Sequence, residues 1–180
     1  TPQTQFHIAS LSKSFTATAV MQLVEAGELD LDAPVVRYLP DFTLADPGAA
    51  EQITLRQLLN HTSGLSDGGV ADLRLERPAT TADRIATLHD AHTVAPPGRE
   101  FHYTDVNYQI LASVVETASG QPFSDYLGAH IFAPLQMTDT VNVISSFEVA
   151  KEAPALPQGH LLAYGVPVAS GDEQGYLGGS

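Results

Sequence analysis

A serine three residues ahead of a lysine, in Ser10-Leu11-Ser12-Lys13, stands at the mouth of an amphipathic stretch and can form a self-contained nucleophile and base. On a helix beginning near Ser10 the two side chains lie one turn apart on the same face, so the amine reaches the hydroxyl. A serine hydroxyl is a weak nucleophile near neutral pH. It needs a base within hydrogen-bond distance and donors for the oxyanion formed when it attacks a carbonyl. Lys13 can be that base only if it loses its proton, and burial or a neighbouring cation would lower its pKa by penalising the charged form. A place in the first turn, where the helix dipole disfavours a cation, acts in the same direction. The same helix start turns backbone N–H groups towards negative charge developing at Ser10. The plainer reading is that Ser10 is an N-cap and Lys13 a solvated side chain, since Ser-x-x-Lys also arises by chance. Against it, Lys13 and Lys151 are the only lysines in the chain.

The elements that must position these residues follow from hydrophobic spacing. Leu11, Phe15, Ala19 and Leu23 form an i,i+4 stripe, widened by Val20 and Val24, which predicts a core-facing helix over 11–25 stopped by Gly27. Leu29-Asp30-Leu31-Asp32 and Pro34 read as an extended turn before Val35 to Leu39. Thr54 and Gln57 fit a capping box for a short helix at Leu55 to Leu59, which runs into His61-Thr62-Ser63-Gly64 with Gly64 as the turn. A loop is expected at Ser66 to Gly69 and a helix at Thr81 to His89 with Ile85 and Leu88 inward. Pro96-Pro97-Gly98 breaks the chain before Phe101-His102-Tyr103. A second long helix then carries Ile110, Leu111, Val114, Val115 and Ala118 and ends at Ser119-Gly120, and Pro122 opens a further one to about His130. Residues 141–180 are irregular, with short β-prone pieces at Val141 to Ile144 and Leu161 to Val168.

The 180 residues suffice for a single mainly helical domain or subdomain, and 43% hydrophobic with 16% charged residues is the composition of a folded chain. A formal net charge of −13 with no basic block argues against nucleic acid and against anionic membranes. No apolar run is long enough to span a bilayer, and with no cysteine there is neither a disulfide framework nor a thiolate metal site. His61 invites a Ser-His-Asp reading with Asp67 or Asp105 as the orienting acid. Lys13 already fills the base role, so a structural turn is the preferred reading. His89 and His92 lack a third convergent ligand, and Asp30 and Asp32 lack the rest of a calcium loop.

With Thr4-x-Phe6 upstream, Ser10-Leu11-Ser12-Lys13-Ser14-Phe15-Thr16-Ala17 resembles the nucleophile segment of the serine β-lactamase and penicillin-binding-protein superfamily. The likeness is to the branch holding class C β-lactamases, D-alanyl-D-alanine carboxypeptidases and related esterases. Further matching segments follow in order, at Gly27 to Val35, Leu58 to Leu65, Pro97 to Tyr103, Asn107 to Leu111 and Ile131 to Met137. The Ser-x-x-Lys element is a known signature whose acylation base is itself disputed in class A enzymes. The resemblance implies that Ser10 becomes acylated, that Lys13 assists its deprotonation and that Tyr103 is the third catalytic group. It also implies a small-molecule or peptide substrate and no metal or organic cofactor. Relatives often have Tyr-x-Asn where this chain has Tyr103-Thr104-Asp105, with Asn107 two residues later. An ionised Asp105 only accepts hydrogen bonds, so it either contacts substrate differently, favouring esterase or peptidase specificity over a β-lactam side-chain amide, or caps the following helix.

The Lys-Thr-Gly or His-x-Gly strand element of the relatives is not found, since Lys151-Glu152-Ala153 does not match, and Gly178-Gly179-Ser180 resembles a glycine-rich turn that precedes further elements. The expectation is therefore the helical subdomain of an α+β β-lactamase/transpeptidase-like fold, with most of the β-sheet outside the segment and the segment alone inactive or nearly so. The alternative is a catalytically silent relative that binds a peptide or protein partner in the same cleft.

Overall fold

A computed structural model gives the arrangement of residues 8–67, 81–140, 160–163 and 166–169. The β-prone piece at Val141 to Ile144, the Thr4-x-Phe6 element, Lys151-Glu152-Ala153 and the closing glycines lie outside the described residues, as do Gly68 and Gly69 of the expected loop.

Five α-helices make the described part mainly helical: α1 Ser12–Glu25, α2 Leu55–Leu59, α3 Thr81–Ala86, α4 Val106–Ser119 and α5 Phe123–Leu127. The β-prone segment beginning at Leu161 falls in an antiparallel pair, β1 His160–Ala163 and β2 Val166–Ala169, with Leu161 opposite Val168. Helix α1 packs along α4. Its Ala19, Val20 and Leu23 are buried together with Ile110, Leu111 and Val114 of α4, Leu55 and Leu58 of α2, and Ile85 and Leu88 at α3 and the 3-10 turn after it. Each large aliphatic side chain enclosed in this way contributes roughly 1.5–3 kcal/mol.

The stripe expected on α1 is displaced at its start. Leu11 is 68% exposed, while Lys13 and Thr16 are buried. The reason is local: residues Ala9–Leu11 form a 3-10 turn ahead of α1, whose tighter winding takes Leu11 off the core-facing line. The inward face of α1 thus begins with polar side chains, and the apolar packing starts one turn later. Phe15 is half-buried, in edge contact with Phe132 at 5.5 Å between ring centroids.

The helix ends follow their sequence signals. Gly27 adopts φ +80° after α1 and Gly120 φ +68° after α4, the left-handed conformation that closes a helix with least strain in glycine. Thr54 and Gln57 form the reciprocal capping box of α2. Pro122 precedes α5 as its cap rather than lying in its first turn, and the Glu116 carboxylate, reaching across from α4, accepts from the Phe123 N–H at 2.7 Å. Glu116 also accepts from the Thr81 hydroxyl, so one side chain ties the starts of α3 and α5 to α4. The further helix expected to reach His130 continues beyond α5 as a π-turn over Gly128–Phe132.

The aspartates considered for calcium are structural among the described residues: Asp30 accepts from the Asp32 N–H at 3.0 Å, and Asp32 pairs with Arg56 at 2.6 Å. His92 is held by Asp46 at 2.8 Å, and His89 Nδ1 lies 2.7 Å from the Ala86 carbonyl, so the two histidines serve different local contacts.

Gly64 is fixed by both torsion and space. It has φ +82°, and a Cβ there would fall 2.1 Å from the carbonyl oxygen of Ala95. The Val94 N–H donates to the Gly64 carbonyl at 2.8 Å, which locks the His61–Gly64 turn against the segment leading to Tyr103. Replacing Gly64 by Ala is expected to cost about 2–4 kcal/mol through backbone strain and overpacking. A urea midpoint unchanged from the wild type contradicts that expectation.

Candidate active site

Ser10 lies in the 3-10 turn directly before α1, with its residue surface open to solvent. Ala9, immediately before it, has φ +45°, a conformation that costs a non-glycine residue on the order of 1–2 kcal/mol. Lys13 follows one turn later on the inward face of α1, and its Nζ donates to Ser10 Oγ at 3.3 Å. Tyr103 reaches the same oxygen from the other side, its phenolic O–H donating at 2.7 Å. Residues far apart in sequence therefore converge on one hydroxyl, Lys13 at the helical spacing from Ser10 and Tyr103 at the place the family resemblance implies.

The electrostatics of Lys13 differ from expectation. Burial does lower its pKa and is the largest single influence. It is nevertheless outweighed by hydrogen bonds to Asp105 and Tyr103 and by the charge of those groups, leaving the net pKa raised above the ordinary 10.5. The decisive contact is an ion pair of 2.6 Å between Nζ and Asp105 Oδ1, with the lysine side chain 8% exposed and the aspartate 32%. Lys13 is thus an ammonium at neutral pH, and the expectation of a lysine made uncharged by burial is overturned by its counter-ion. The rings of Tyr103 and Tyr108, with centroids 4.9 and 5.7 Å from Nζ, present further negative potential to the cation.

Asp105 occupies the N-cap position of α4, yet its side chain makes no cap hydrogen bond. The capping alternative fails because the carboxylate is turned to Lys13. The Thr104 hydroxyl instead accepts from the Val106 N–H at 3.2 Å and donates to the Asp67 carboxylate. Asp67 accepts as well from the Asp105 N–H at 3.0 Å, so it braces the Thr104–Asp105 backbone.

His61 is buried at φ +59° with its ring against Tyr103, 4.5 Å between centroids, and near Tyr108 and Phe101 at 5.3 and 5.8 Å. Its Nδ1 accepts from the Thr104 N–H at 3.4 Å and from Asn107 Nδ2 at 3.3 Å, so it faces amide donors rather than the acid a Ser-His-Asp triad requires. Burial, then the nearby Lys13 charge, lower the pKa of His61. Sequence reasoning did not find the parts played by His61, Asp67, Asn107 and Tyr108 around the site. The available signal was weak: polar residues embedded in matching segments that no helix or strand period required to be buried.

The beta-lactamase family model matches residues 1–168. The chain belongs to the beta-lactamase family. Penicillin-binding protein 4 of Amycolatopsis lactamdurans is 37% identical over 148 residues, covering 79% of this chain and 37% of that protein. The octameric penicillin-binding protein homologue from Pyrococcus abyssi superposes with a TM-score of 0.76 at 32% identity, covering 99% of this chain and 41% of that one. The D-amino acid amidase from Ochrobactrum anthropi SV3, solved with L-phenylalanine amide, gives a TM-score of 0.70 at 30% identity, covering 91% and 44%. These proteins carry the β-lactamase/transpeptidase-like fold, and the present chain is a mainly helical portion of it. The chain spans about a third of the length of the curated relatives it matches, 34% and 37%.

Because its folded pKa lies above 10.5, Lys13 contributes stability that is fully present below that pH and is lost as pH rises through the folded value. In Asp105→Ala the pKa of Lys13, followed by the lysine 13Cε shift, is expected to fall relative to the wild type, and this alkaline loss to shrink. The variant should also lose about 1–3 kcal/mol, less than a fully enclosed pair because the carboxylate is partly solvated. An unmoved lysine titration would show that Asp105 does not set the charge.

Proposed function

We propose that this chain carries the proton-handling residues of a serine hydrolase that works through an acyl-enzyme, with Ser10 as nucleophile, Tyr103 as general base and acid, and Lys13 as a fixed ammonium. The observation that carries the reading is the convergence of the Tyr103 hydroxyl, at 2.7 Å, and the Lys13 Nζ, at 3.3 Å, on one exposed serine oxygen. A positively charged lysine cannot take the Ser10 proton, which leaves the phenol as the group placed to do so.

Attack begins once the exposed Tyr103 hydroxyl has given its proton to solvent, after which Ser10 donates to the phenol oxygen. As Ser10 Oγ bonds to the substrate carbonyl carbon, its proton passes to the Tyr103 oxygen, and the carbonyl π electrons move to oxygen to give the tetrahedral oxyanion. Lys13 stabilises the negative charge on the phenolate before transfer, in a cleft where its own charge is balanced by Asp105. Collapse of the intermediate breaks the bond to the leaving group, which takes the proton back from Tyr103. Water, deprotonated by the restored phenolate, then releases the acyl group by the same steps.

Asp105 acts in this scheme by holding Lys13, and its carboxylate offers no N–H to an acylamino carbonyl. The reading therefore favours esters and D-aminoacyl amides over β-lactams with acylamino side chains. The relation to a D-amino acid amidase supports that substrate class. Turnover is assigned to a polypeptide with the rest of the fold. The 180-residue chain alone should hydrolyse an activated ester at least about 10²-fold more slowly, for want of a complete oxyanion site.

A fluorophosphonate applied to the full-length protein, followed by peptide mapping, is expected to place the adduct on Ser10. Tyr103→Phe should lower the labelling rate by about 10²- to 10⁴-fold. p-Nitrophenyl esters and D-alanyl dipeptides should be turned over faster than nitrocefin. A full-length protein that stays unlabelled while control hydrolases react would favour the non-catalytic alternative.

A further inference from the structure

The His61 ring is not used by the chemistry above, although it is buried and lies against the proposed base. Its Nδ1 faces donors only. The Thr104 backbone N–H can only donate, and it points at Nδ1 from 3.4 Å. Asn107 lies against the same nitrogen at 3.3 Å, and the other end of its amide is hydrogen-bonded to the Ser63 hydroxyl at 2.7 Å. Ser63, Asn107 and Thr104 are buried, so water does not readily substitute for any of these partners. Nδ1 must then carry a lone pair, and the ring proton of a neutral imidazole sits on Nε2.

The same contacts tie His61 to Tyr103. The imidazole lies beside the phenol ring, its Nδ1 takes the Thr104 N–H one residue along, and its carbonyl accepts from the His102 N–H at 2.8 Å one residue back. Tyr103 itself is 51% exposed and has little core around it to fix its position. We propose that His61, kept by the Thr104 N–H as the uncharged Nε2–H tautomer, is the positioning residue that aims Tyr103 at Ser10, and that a proton added at Nδ1 releases Tyr103. The inference rests on the reading of Tyr103 as the proton carrier.

Protonation sets an N–H at Nδ1 against the Thr104 N–H and Asn107 Nδ2. Rotating the Asn107 amide would offer an oxygen to His61 but would leave the Thr104 clash in place. The groups around the ring agree with a neutral form. Lys13 from α1 opposes a second cation, while the carboxylates of Asp105 and Asp67 favour one but do not overcome burial and Lys13. The aromatic neighbours Tyr103, Tyr108 and Phe101 complete the surroundings. Because His61 in the folded protein takes its proton below the ordinary 6.5, the folded state loses stability as pH falls from 6.5 towards that lower value.

The test is made on full-length protein with 15N-labelled histidine. His61, assigned by its loss in His61→Asn, is expected to show an unprotonated Nδ1 and a protonated Nε2 at neutral pH. As pH is lowered below 6.5, its protonation should move the Tyr103 ring resonances and slow fluorophosphonate labelling of Ser10 with one shared midpoint. Asparagine accepts the left-handed backbone and places an amide oxygen near the Nδ1 position. His61→Asn should therefore lose the acid limb while labelling about tenfold faster than His61→Leu, which has no acceptor and should fall about 10- to 100-fold below the wild type. An Nδ1–H tautomer, Tyr103 resonances indifferent to His61 protonation, or an acid limb unchanged in His61→Asn would overturn the proposal. A wild-type protein unlabelled at every pH would sink the hydrolase reading instead, with the tautomer and the Tyr103 resonances still deciding whether His61 holds Tyr103.

Discussion

The ion pair between Lys13 and Asp105 is the contact on which the cleft depends, because it joins the first turn of α1 to the start of α4 through charge in a setting that is otherwise apolar packing. Apolar packing between the same two helices sets their separation but leaves their ends free to slide. A nearly enclosed ammonium without its carboxylate would be costly, so the pair fixes the register in which Ser10, on one side, faces Tyr103, on the other. The arrangement also sets the character of the lysine. A cation already satisfied by a carboxylate presents a steady positive charge to the serine and the phenol beside it.

Around this pair stands a shell of linked polar groups, with His61, Ser63, Thr104 and Asn107 buried and Asp67 at the exposed edge. Asp67 collects the Thr104 hydroxyl and the Asp105 N–H, while Ser63, Asn107 and His61 form a chain ending on the Thr104 N–H. Such networks are valuable when complete and expensive when one member is lost. The loop carrying Tyr103 has few apolar contacts of its own, so these polar groups take over what a core would do elsewhere.

Much of this was legible in the sequence, and the legible parts share a cause. Helices α1, α2 and α4 announced themselves by apolar spacing, the Thr54 capping box and the glycines after their ends, all of which are local signals. The Ser10, Lys13 and Tyr103 cluster was legible because nucleophile chemistry restricts residue types and because the ordered segments resemble a known family. The sign of the Lys13 charge was not legible. It depends on a partner ninety-two positions away, and helix period says nothing about which carboxylate will arrive. Leu11 was misplaced for a related reason: a stripe extrapolated at the α-helical period fails where the winding tightens to a 3-10 turn. Asp67 and Asn107 gave only a weak signal, since the partners of a polar residue at a helix start or in a loop are settled only once distant segments fold around it.

The left-handed twist at Ala9 has its own consequence. An alanine there resists its assigned torsion, so the resting pose of the neighbouring hydroxyl is imposed by the assembled cleft and not inherited from the local peptide. A synthetic fragment of the opening spiral would unwind at that link and let its serine and amine drift apart. The Ser10 oxygen is in this sense a tertiary object, placed only once both long rods have docked.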